Sequence, residues 1–197
     1  MKINGYRVKN LSYILIDDFF TPQELEAVVQ EIKDLKRFAL CAEKTAVAKD
    51  ANQNPKKTGT GLFLDTLYAD NREASDILTA NRKIFGPEIQ EYATSFDAIF
   101  NFLAKSNDDH TLLNYYKEGQ QYRPHIDEAR ISAVTFLNEG VFRGGGFSFP
   151  DQEVIVEAVH NRSVIFPSCV THCALPTYGN GIRISIAQFI DFVVGKD

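Results

Sequence analysis

The sequence contains few of the cysteines that would mark a disulfide-rich or zinc-binding protein. Only three cysteines, Cys41, Cys169 and Cys173, occur in 197 residues, which is too few for the disulfide framework of a small secreted domain. Cys169 and Cys173 flank His172, but a structural zinc site generally needs four ligands, and no second Cys/His pair has suitable spacing. We therefore expect small buried thiols in a reducing compartment.

Long hydrophobic runs and an excess of positive charge are also missing. The best apolar run near the start, residues 13–16, stops at Asp17, and no stretch approaches the length of a membrane span. The formal net charge of −5 argues against nucleic-acid or anionic-membrane partners, because such partners select basic faces. We expect a cytoplasmic protein without a membrane or nucleic-acid partner; the oligomeric state is not indicated.

The remaining composition is typical of an ordinary globular protein. Hydrophobic residues make up 44% and charged residues 24% of the chain, and a chain of this length can bury one substantial core. We predict a single domain over residues 1–197. Within it, residues 1–108 supply a strand and supporting helices, and residues 109–193 form the core that carries the functional site.

An amphipathic helix is predicted over residues 21–38. Thr21 suits the N-cap, Pro22 suits the first helical position, and Glu24 completes a capping box with Thr21. Apolar residues recur on one face of the helix, so we expect it to pack against a sheet. The preceding residues 11–20 have the apolar density of a buried strand.

The next part of the chain alternates between loop, strand and helix patterns. Residues 41–60 are polar and small, which predicts a long loop that is either a lid over a binding site or a variable surface connection. Residues 61–68 predict another strand. Residues 71–106 carry a helical pattern that is broken near Gly86 and Pro87.

The sequence changes character after Asp109. About eight short β-rich runs, separated by turn-forming residues, follow within about ninety residues. This spacing is typical of a sandwich or jelly roll and not of a parallel α/β sheet. Because the helices precede the strands, we predict a mainly β fold with supporting helices (α+β), in which the N-terminal helices pack on one sheet of a double-stranded β-helix (jelly-roll) core.

A histidine and an aspartate are separated by one residue in a predicted strand. Side chains at positions i and i+2 share one face of a strand, so His125 and Asp127 should point to the same side. They provide two-thirds of the 2-His-1-carboxylate set that holds non-haem Fe(II) with open positions. Among the other histidines, His172 is the best third candidate, because it follows a predicted strand far enough along for the chain to fold back; His110 and His160 are the remaining ones.

A cation in the last predicted strand suits an anionic ligand. Arg183 and Ser185 alternate with three isoleucines, so they share the polar face of this strand. A guanidinium and a hydroxyl directed inward would bind the distal carboxylate of a dicarboxylate through charge-assisted hydrogen bonds. A buried arginine needs such a partner, because an unpaired buried charge is costly. The alternative is that Arg183 faces solvent on an edge strand.

Together, these residues resemble the Fe(II)/2-oxoglutarate-dependent dioxygenases, and within them the prolyl-4-hydroxylase-like branch. The resemblance covers roughly residues 112–191 and is carried, in order, by YKEGQQYRPHID, RISAVTFLN, GGGFSF, TH and GIR. The combination is specific, whereas the N-terminal hundred residues match only in general layout. Two positions depart from the branch: Phe136 replaces a tyrosine of some relatives, and a turn at His160 and Asn161 replaces a common glycine, so Asn161 is expected to take a positive φ.

The resemblance implies a role for each matching residue. The metal ligands, and hence the catalytic residues, would be His125, Asp127 and His172. Four residues would bind the co-substrate or line its pocket: Arg183 at the distal carboxylate, Tyr116, Ser185 and Tyr122. For the two tyrosines the alternative is a packing role in the core. The implied cofactors are Fe(II) and 2-oxoglutarate as co-substrate, with ascorbate as an additional cofactor.

The implied activity is hydroxylation of a C–H bond in a peptidyl-proline, or in another protein or peptide substrate, with conversion of 2-oxoglutarate and O2 to succinate and CO2. A free amino acid or small metabolite is an alternative substrate. Two alternatives belong to other classes: a non-catalytic, cupin-like barrel that binds a metal or ligand, and a structural domain in which His125 and Asp127 only hydrogen-bond. Cupin-like sites commonly contain a His-x-His pair, which this chain lacks.

Overall fold

The computed structural model describes residues 1–45 and 47–194. Its helices are α1 (Pro22–Leu35), α2 (Leu64–Leu67), α3 (Asp76–Asn81), α4 (Pro87–Phe96) and α5 (Asn101–Ala104). Its strands are β1 (Lys2–Val8), β2 (Leu11–Asp17), β3 (Thr60–Phe63), β4 (Asp108–Tyr116), β5 (Tyr122–His125), β6 (Ile131–Glu139), β7 (Arg143–Gly144), β8 (Phe147–Phe149), β9 (Val154–Val156), β10 (Arg162–Pro167), β11 (His172–Ala174), β12 (Thr177–Tyr178) and β13 (Ile182–Asp191). Short 3₁₀ turns connect several of these elements. Among the described residues, none of the helices combines the length and apolar character that crossing a bilayer requires.

Two antiparallel sheets form the β core. The larger sheet has the strand order β1-β2-β10-β6-β13-β4-β3, and the smaller has the order β5-β11-β8-β9. A short third ladder pairs β7 with β12. Strands that are distant in sequence are therefore neighbours, and the three N-terminal strands extend the larger sheet at both of its edges.

Three layers result from hydrophobic packing on both faces of the larger sheet. Along β2, Ile14 and Ile16 pack in a cluster with the helices, whereas Tyr13 and Leu15 pack in a second cluster with the smaller sheet. This alternation follows from the period of two in a strand. The predicted fold class, mainly β with helices packed on one sheet of a jelly roll, is confirmed.

The predicted helix start at Thr21 is confirmed by both hydrogen bonds of a capping box. The Glu24 backbone N–H donates to Thr21 Oγ1 at 3.3 Å, and the Thr21 backbone N–H donates to Glu24 Oε2 at 2.8 Å. Pro22 occupies the first helical position. The break predicted near Gly86 and Pro87 is also present, since Gly86 is the N-cap of α4.

The predicted strand over residues 61–68 is wrong in its second half. Strand β3 ends at Phe63, and α2 begins at Leu64, which is fully buried against the core. The Asp65 carboxylate accepts a hydrogen bond from the backbone N–H of Thr111 at 2.5 Å, which holds the first turn of α2 against β4. A short apolar run does not by itself distinguish a strand from a buried helix.

Asn161 takes the positive φ expected at its turn, with a value of 62°. Its buried side chain accepts a hydrogen bond from Phe20 N and donates one to Phe20 O, each at 2.8 Å. The side chain thus ties the turn before β10 to the chain that leads into α1. Asparagine is one of the few residues suited to both the backbone conformation and these contacts.

We expect Asn161→Ala to lower the free energy of unfolding by about 2–5 kcal/mol, because two buried backbone groups of Phe20 lose their partners. Urea denaturation monitored by circular dichroism measures this change. Alanine also disfavours the positive φ of this turn. Asn161→Gly tests the side-chain contacts alone, since glycine accepts a positive φ but makes neither contact. A glycine variant as stable as the wild type would contradict the role of the side chain.

Candidate active site

Two of the candidate ligands face each other across a pair of strands. His172 on β11 lies directly opposite His125 on β5 in the antiparallel ladder. Their ring centroids are 4.3 Å apart, and both side chains are buried. The pairing of β5 with β11 therefore brings together two imidazoles that are far apart in sequence.

Backbone carbonyl groups fix the orientation of both imidazoles. His125 Nδ1 lies 2.8 Å from the carbonyl oxygen of Arg123, and His172 Nδ1 lies 2.9 Å from that of Val170. A carbonyl oxygen can only accept, so each Nδ1 must donate. In the neutral rings each Nε2 then presents a lone pair, which is the form in which histidine binds a metal.

Asp127 completes the cluster, but the prediction that it lies in the same strand as His125 is wrong, because the strand ends before it. Strand β5 ends at His125, and the Asp127 backbone N–H donates to the carbonyl oxygen of Ser168 at 3.0 Å. The intervening Ile126 is 55% exposed. Ile126 therefore points away from His125 and Asp127, so the side chains continue to alternate beyond the end of β5.

The Asp127 carboxylate contacts both imidazoles and a serine. Its Oδ1 lies 3.6 Å from His125 Nε2, and its Oδ2 lies 3.3 Å from His172 Nε2. Ser132 Oγ donates to Oδ2 at 2.7 Å and is itself 2.8 Å from Ser168 Oγ. These contacts hold the carboxylate toward the two histidines, in the manner of outer partners that orient metal ligands.

The electrostatics of the cluster favour metal binding at neutral pH. Burial, together with the nearby His172, lowers the pKa of His125 to about 4. For Asp127, burial alone would raise the pKa, but the nearby His172 and the hydrogen bond from Ser132 outweigh it, and the pKa lies below its ordinary value. At pH 7 the site therefore offers a neutral His125 and an ionised Asp127, and a metal ion does not have to displace a proton from either.

The donor set fits Fe(II). Among the described residues, His125, Asp127 and His172 form a group whose ligand atoms all lie within 4.8 Å of one another. Two imidazole nitrogens and one carboxylate oxygen leave positions open for further ligands of a non-haem iron. Neither Cys169, which is exposed, nor Cys173, which is buried as a free thiol, belongs to this group.

The two remaining histidines lie elsewhere. His110 is an exposed residue of β4 that lines the pocket outside the cluster. His160 Nδ1 accepts a hydrogen bond from the Asn138 backbone N–H at 3.1 Å. Of the candidates for the third ligand, the structure brings only His172 to the cluster.

A cavity of about 460 Å³ extends from this cluster between the two sheets. One wall is the ladder of β4 with β13, in which Tyr116 lies opposite Arg183 and Asn114 lies opposite Ser185. All four residues line the cavity. The metal cluster and Arg183 therefore share one pocket.

Arg183 is a buried cation that has no counterion in the part of the chain that the structure describes. It is 1% exposed, and its guanidinium carbon lies 4.9 Å from the ring centroid of Tyr116 and 5.4 Å from that of Phe136. Among the described residues, its buried Nε and Nη1 have no hydrogen-bond partner. Buried polar groups are rarely left unpaired, so this fork of donors is suited to an anion that enters the pocket.

The two candidate tyrosines have different surroundings. Tyr116 is buried beside Arg183, and burial raises the pKa of its phenol, so the hydroxyl remains a donor at neutral pH. Tyr122 stacks on His125 with ring centroids 3.6 Å apart, and its hydroxyl accepts a hydrogen bond from the Ala48 backbone N–H at 2.8 Å. Burial raises the pKa of Tyr122 to about 12. Tyr122 thus supports a metal ligand and also anchors the segment before β3.

The segment predicted as a loop over residues 41–60 is tied to β5 along much of its length. The Thr58 backbone N–H donates to Gln121 O at 2.9 Å, and the Arg123 backbone N–H donates to Lys56 O at 3.0 Å. Val47 and Ala48 line the cavity, whereas Ala46 lies outside the described residues. This segment therefore forms part of the pocket wall and is held there by hydrogen bonds to residues 121–123.

Several supporting residues carried no sequence signal. Ser132 and Ser168 orient Asp127, and Phe147 stacks on His172 with ring centroids 5.4 Å apart. Each contact joins elements that are distant in the chain. Period-two alternation does place Ser132 on the inner face of β6, but it does not indicate which partner that face meets.

Comparison with protein-family models identifies the later part of the chain. Residues 111–191 match the family model described as the 2OG-Fe(II) oxygenase superfamily. A search of curated protein sequences found no match.

Several solved structures share the fold. A Pseudomonas putida prolyl-4-hydroxylase aligns with a TM-score of 0.66 and 19% identity, covering 92% of each chain. A Trichoplax adhaerens prolyl hydroxylase, solved with a peptide fragment of the hypoxia inducible factor oxygen degradation domain, aligns with a TM-score of 0.65 and 13% identity, covering 91% of this chain and 83% of the other. The 2OG complex of a viral collagen prolyl hydroxylase from Paramecium Bursaria Chlorella virus-1 aligns with a TM-score of 0.57 and 16% identity, covering 92% and 96%.

Proposed function

We propose that this 2OG-Fe(II) oxygenase, whose residues 111–191 match the family model, hydroxylates a prolyl residue in a protein or peptide. Its cofactors are Fe(II) and 2-oxoglutarate. The general reaction is the oxidation of a substrate by O2, coupled to conversion of 2-oxoglutarate to succinate and CO2. The identity of the substrate and the roles of individual residues form the proposal.

We assign the iron to His125, Asp127 and His172, whose ligand atoms all lie within 4.8 Å of one another. When bound, iron and 2-oxoglutarate together supply the oxidising chemistry that inserts one oxygen atom of O2 into a C–H bond. The protein holds the ligands in place through Arg123 O, Val170 O and Ser132, so the donor geometry is preorganised.

The observation that carries this assignment is the unpaired guanidinium of Arg183 in the same cavity as the three ligands. Its forked donors suit the distal carboxylate of 2-oxoglutarate, and the protonated Tyr116 phenol beside it can donate to the same group. A purely structural domain has no need for a buried, uncompensated cation. A cupin-like binding barrel does not account for the pairing of this cation with an iron-type ligand set.

The shape of the pocket supports a macromolecular substrate. Its lining includes the exposed residues Ile126, Glu128 and His110, so the cavity reaches the surface. A peptide can lie across this opening while one side chain enters toward the metal cluster. Two of the similar structures are prolyl hydroxylases of P. putida and T. adhaerens, and the latter contains a bound peptide fragment; this likeness makes proline the first residue to test.

A succinate-release screen with proline-containing peptides and free amino acids tests the proposal. We expect release with a peptide panel, and mass spectrometry should find one added oxygen atom on a proline. The Asp127→Ala variant, which lacks the carboxylate ligand, is the control and should give no product. Hydroxylation of free amino acids alone would replace the peptide substrate by a small metabolite. Absence of 2-oxoglutarate binding would overturn the enzymatic assignment itself.

A further inference from the structure

A second buried cation lies beside this pocket, in contact with one of its lining residues, Asn114. Lys57 is 2% exposed, and its ammonium group donates to Asn114 Oδ1 at 2.5 Å. None of the ion pairs between described residues includes Lys57. Buried lysines are normally paired with an acidic group, and here the recorded acceptor is a neutral amide.

Two glycines make room for this lysine on the inner face of the chain that leads into β3. By the period of two, Lys57, Gly59, Gly61 and Phe63 share one face, and Phe63 lines the cavity. A Cβ atom on Gly61 would lie 2.5 Å from Lys57 Nζ, and one on Gly59 would lie 2.8 Å from the Tyr116 ring. Because both positions lack a side chain, the Lys57 side chain has room to lie along this face.

The ammonium group ends one step along the strand from the proposed carboxylate site. Asn114, its acceptor, is opposite Ser185, and the next inward pair along the same strands is Tyr116 with Arg183. Inner positions two residues apart in a strand are separated by about 7 Å. A dicarboxylate that reaches Arg183 therefore passes close to the ammonium group of Lys57.

Within residues 1–45 and 47–194, no acidic side chain forms an ion pair with this lysine. The titratable groups that β4, β5 and β13 present toward it are Tyr116, Tyr122 and Arg183, none of which is anionic at neutral pH. Burial lowers the pKa of Lys57 to about 7. The pocket without ligand therefore holds Lys57 as a partly neutral amine, which takes up a proton from solvent when an anion binds nearby.

We propose that Lys57 is a specificity-determining residue of the co-substrate site, which acts with Arg183 to select a dianionic 2-oxo acid by placing a second cation beside its distal carboxylate. The inference rests on the proposed binding of 2-oxoglutarate in this pocket. The dianion stabilises the ammonium form, so binding takes up a proton from solution above neutral pH. Asn114 holds the ammonium group in position until the carboxylate arrives.

Anaerobic calorimetric titration of the Fe(II)-loaded protein with 2-oxoglutarate tests this at pH 8. Repeating the titration in buffers of different ionisation enthalpy gives the number of protons taken up. We expect about 0.9 proton per site in the wild type if binding restores the ordinary lysine pKa. A titration with 2-oxobutyrate, which lacks the distal carboxylate, should show no such uptake.

The Lys57→Met variant retains the side-chain length without the charge. At pH 7 it should bind 2-oxoglutarate about 10- to 100-fold more weakly, because the attraction between two opposite charges about 7 Å apart is lost, and without the proton uptake. Lys49→Met, which removes an exposed lysine of the same segment, is the matched control and should behave as the wild type.

The outcomes separate this inference from the proposed function. A wild type that binds 2-oxoglutarate without proton uptake overturns the role of Lys57, and this result does not depend on whether any variant folds. Lys57→Met binding with wild-type affinity overturns it as well. A wild type that does not bind 2-oxoglutarate overturns both proposals.

Discussion

Replacing His172 by alanine should abolish stoichiometric Fe(II) binding while leaving the β fold intact. The variant loses one of the three donors that converge within 4.8 Å, and no other histidine of the described residues lies close enough to replace it. Removal of a partner that only orients a ligand costs about 10–100-fold in metal affinity, so loss of the ligand itself should exceed that range. Anaerobic titration with Fe(II), followed by measurement of retained iron, gives the result.

The matched control for this experiment is His160→Ala. His160 also has a hydrogen bond through Nδ1, in its case from the backbone of Asn138, but it lies outside the cluster. It should retain iron at the wild-type level, and circular dichroism should show that both variants remain folded. Full iron occupancy in His172→Ala would remove His172 from the site.

Arg183→Met should weaken 2-oxoglutarate binding by about 10- to 1000-fold, because one or two charge-assisted hydrogen bonds to the distal carboxylate are lost. Methionine fills much of the space of the arginine side chain but offers no donor. The measurement is the dissociation constant of 2-oxoglutarate for the Fe(II)-loaded protein under anaerobic conditions. An unchanged constant would show that the carboxylate binds elsewhere.

The same substitution should affect the ligand-free protein in the opposite direction. Arg183 is buried without an ion-pair partner among the described residues, so its charge is unfavourable until an anion binds. The melting temperature of ligand-free Arg183→Met should therefore equal or exceed that of the wild type, and 2-oxoglutarate should raise it less. Arg37→Met, at an exposed position on the helix side, should change neither property.

Much of the site could be predicted because local rules determine it. The alternation of side chains directs His125 and Asp127 to one side, and it places Arg183 and Ser185 on the inner face of β13. The capping box at Thr21 depends on residues only three positions apart. In each case the relevant physics acts over a few residues, so the sequence pattern carries the information.

Other features depend on contacts between distant segments and could not be predicted in this way. The end of β5 before Asp127 follows from a hydrogen bond to Ser168, and the change from strand to helix at Leu64 follows from burial against the core. In the sequence, Lys57 is one of two adjacent lysines in a polar stretch, a pattern typical of the surface. Only the folded structure shows that it is buried and contacts Asn114. The tertiary environment overrides the local pattern at these positions.

The direct opposition of His125 and His172 also determines where this molecule tolerates insertions. The turns between β5 and β11, such as the one with a positive φ at Gly140, can lengthen without separating the imidazoles, because strand pairing and not the connecting chain sets their spacing. One residue added within β11 would instead rotate its histidine to the opposite face. New loops can thus be grafted onto the turns while the two histidines of the proposed iron site remain in place.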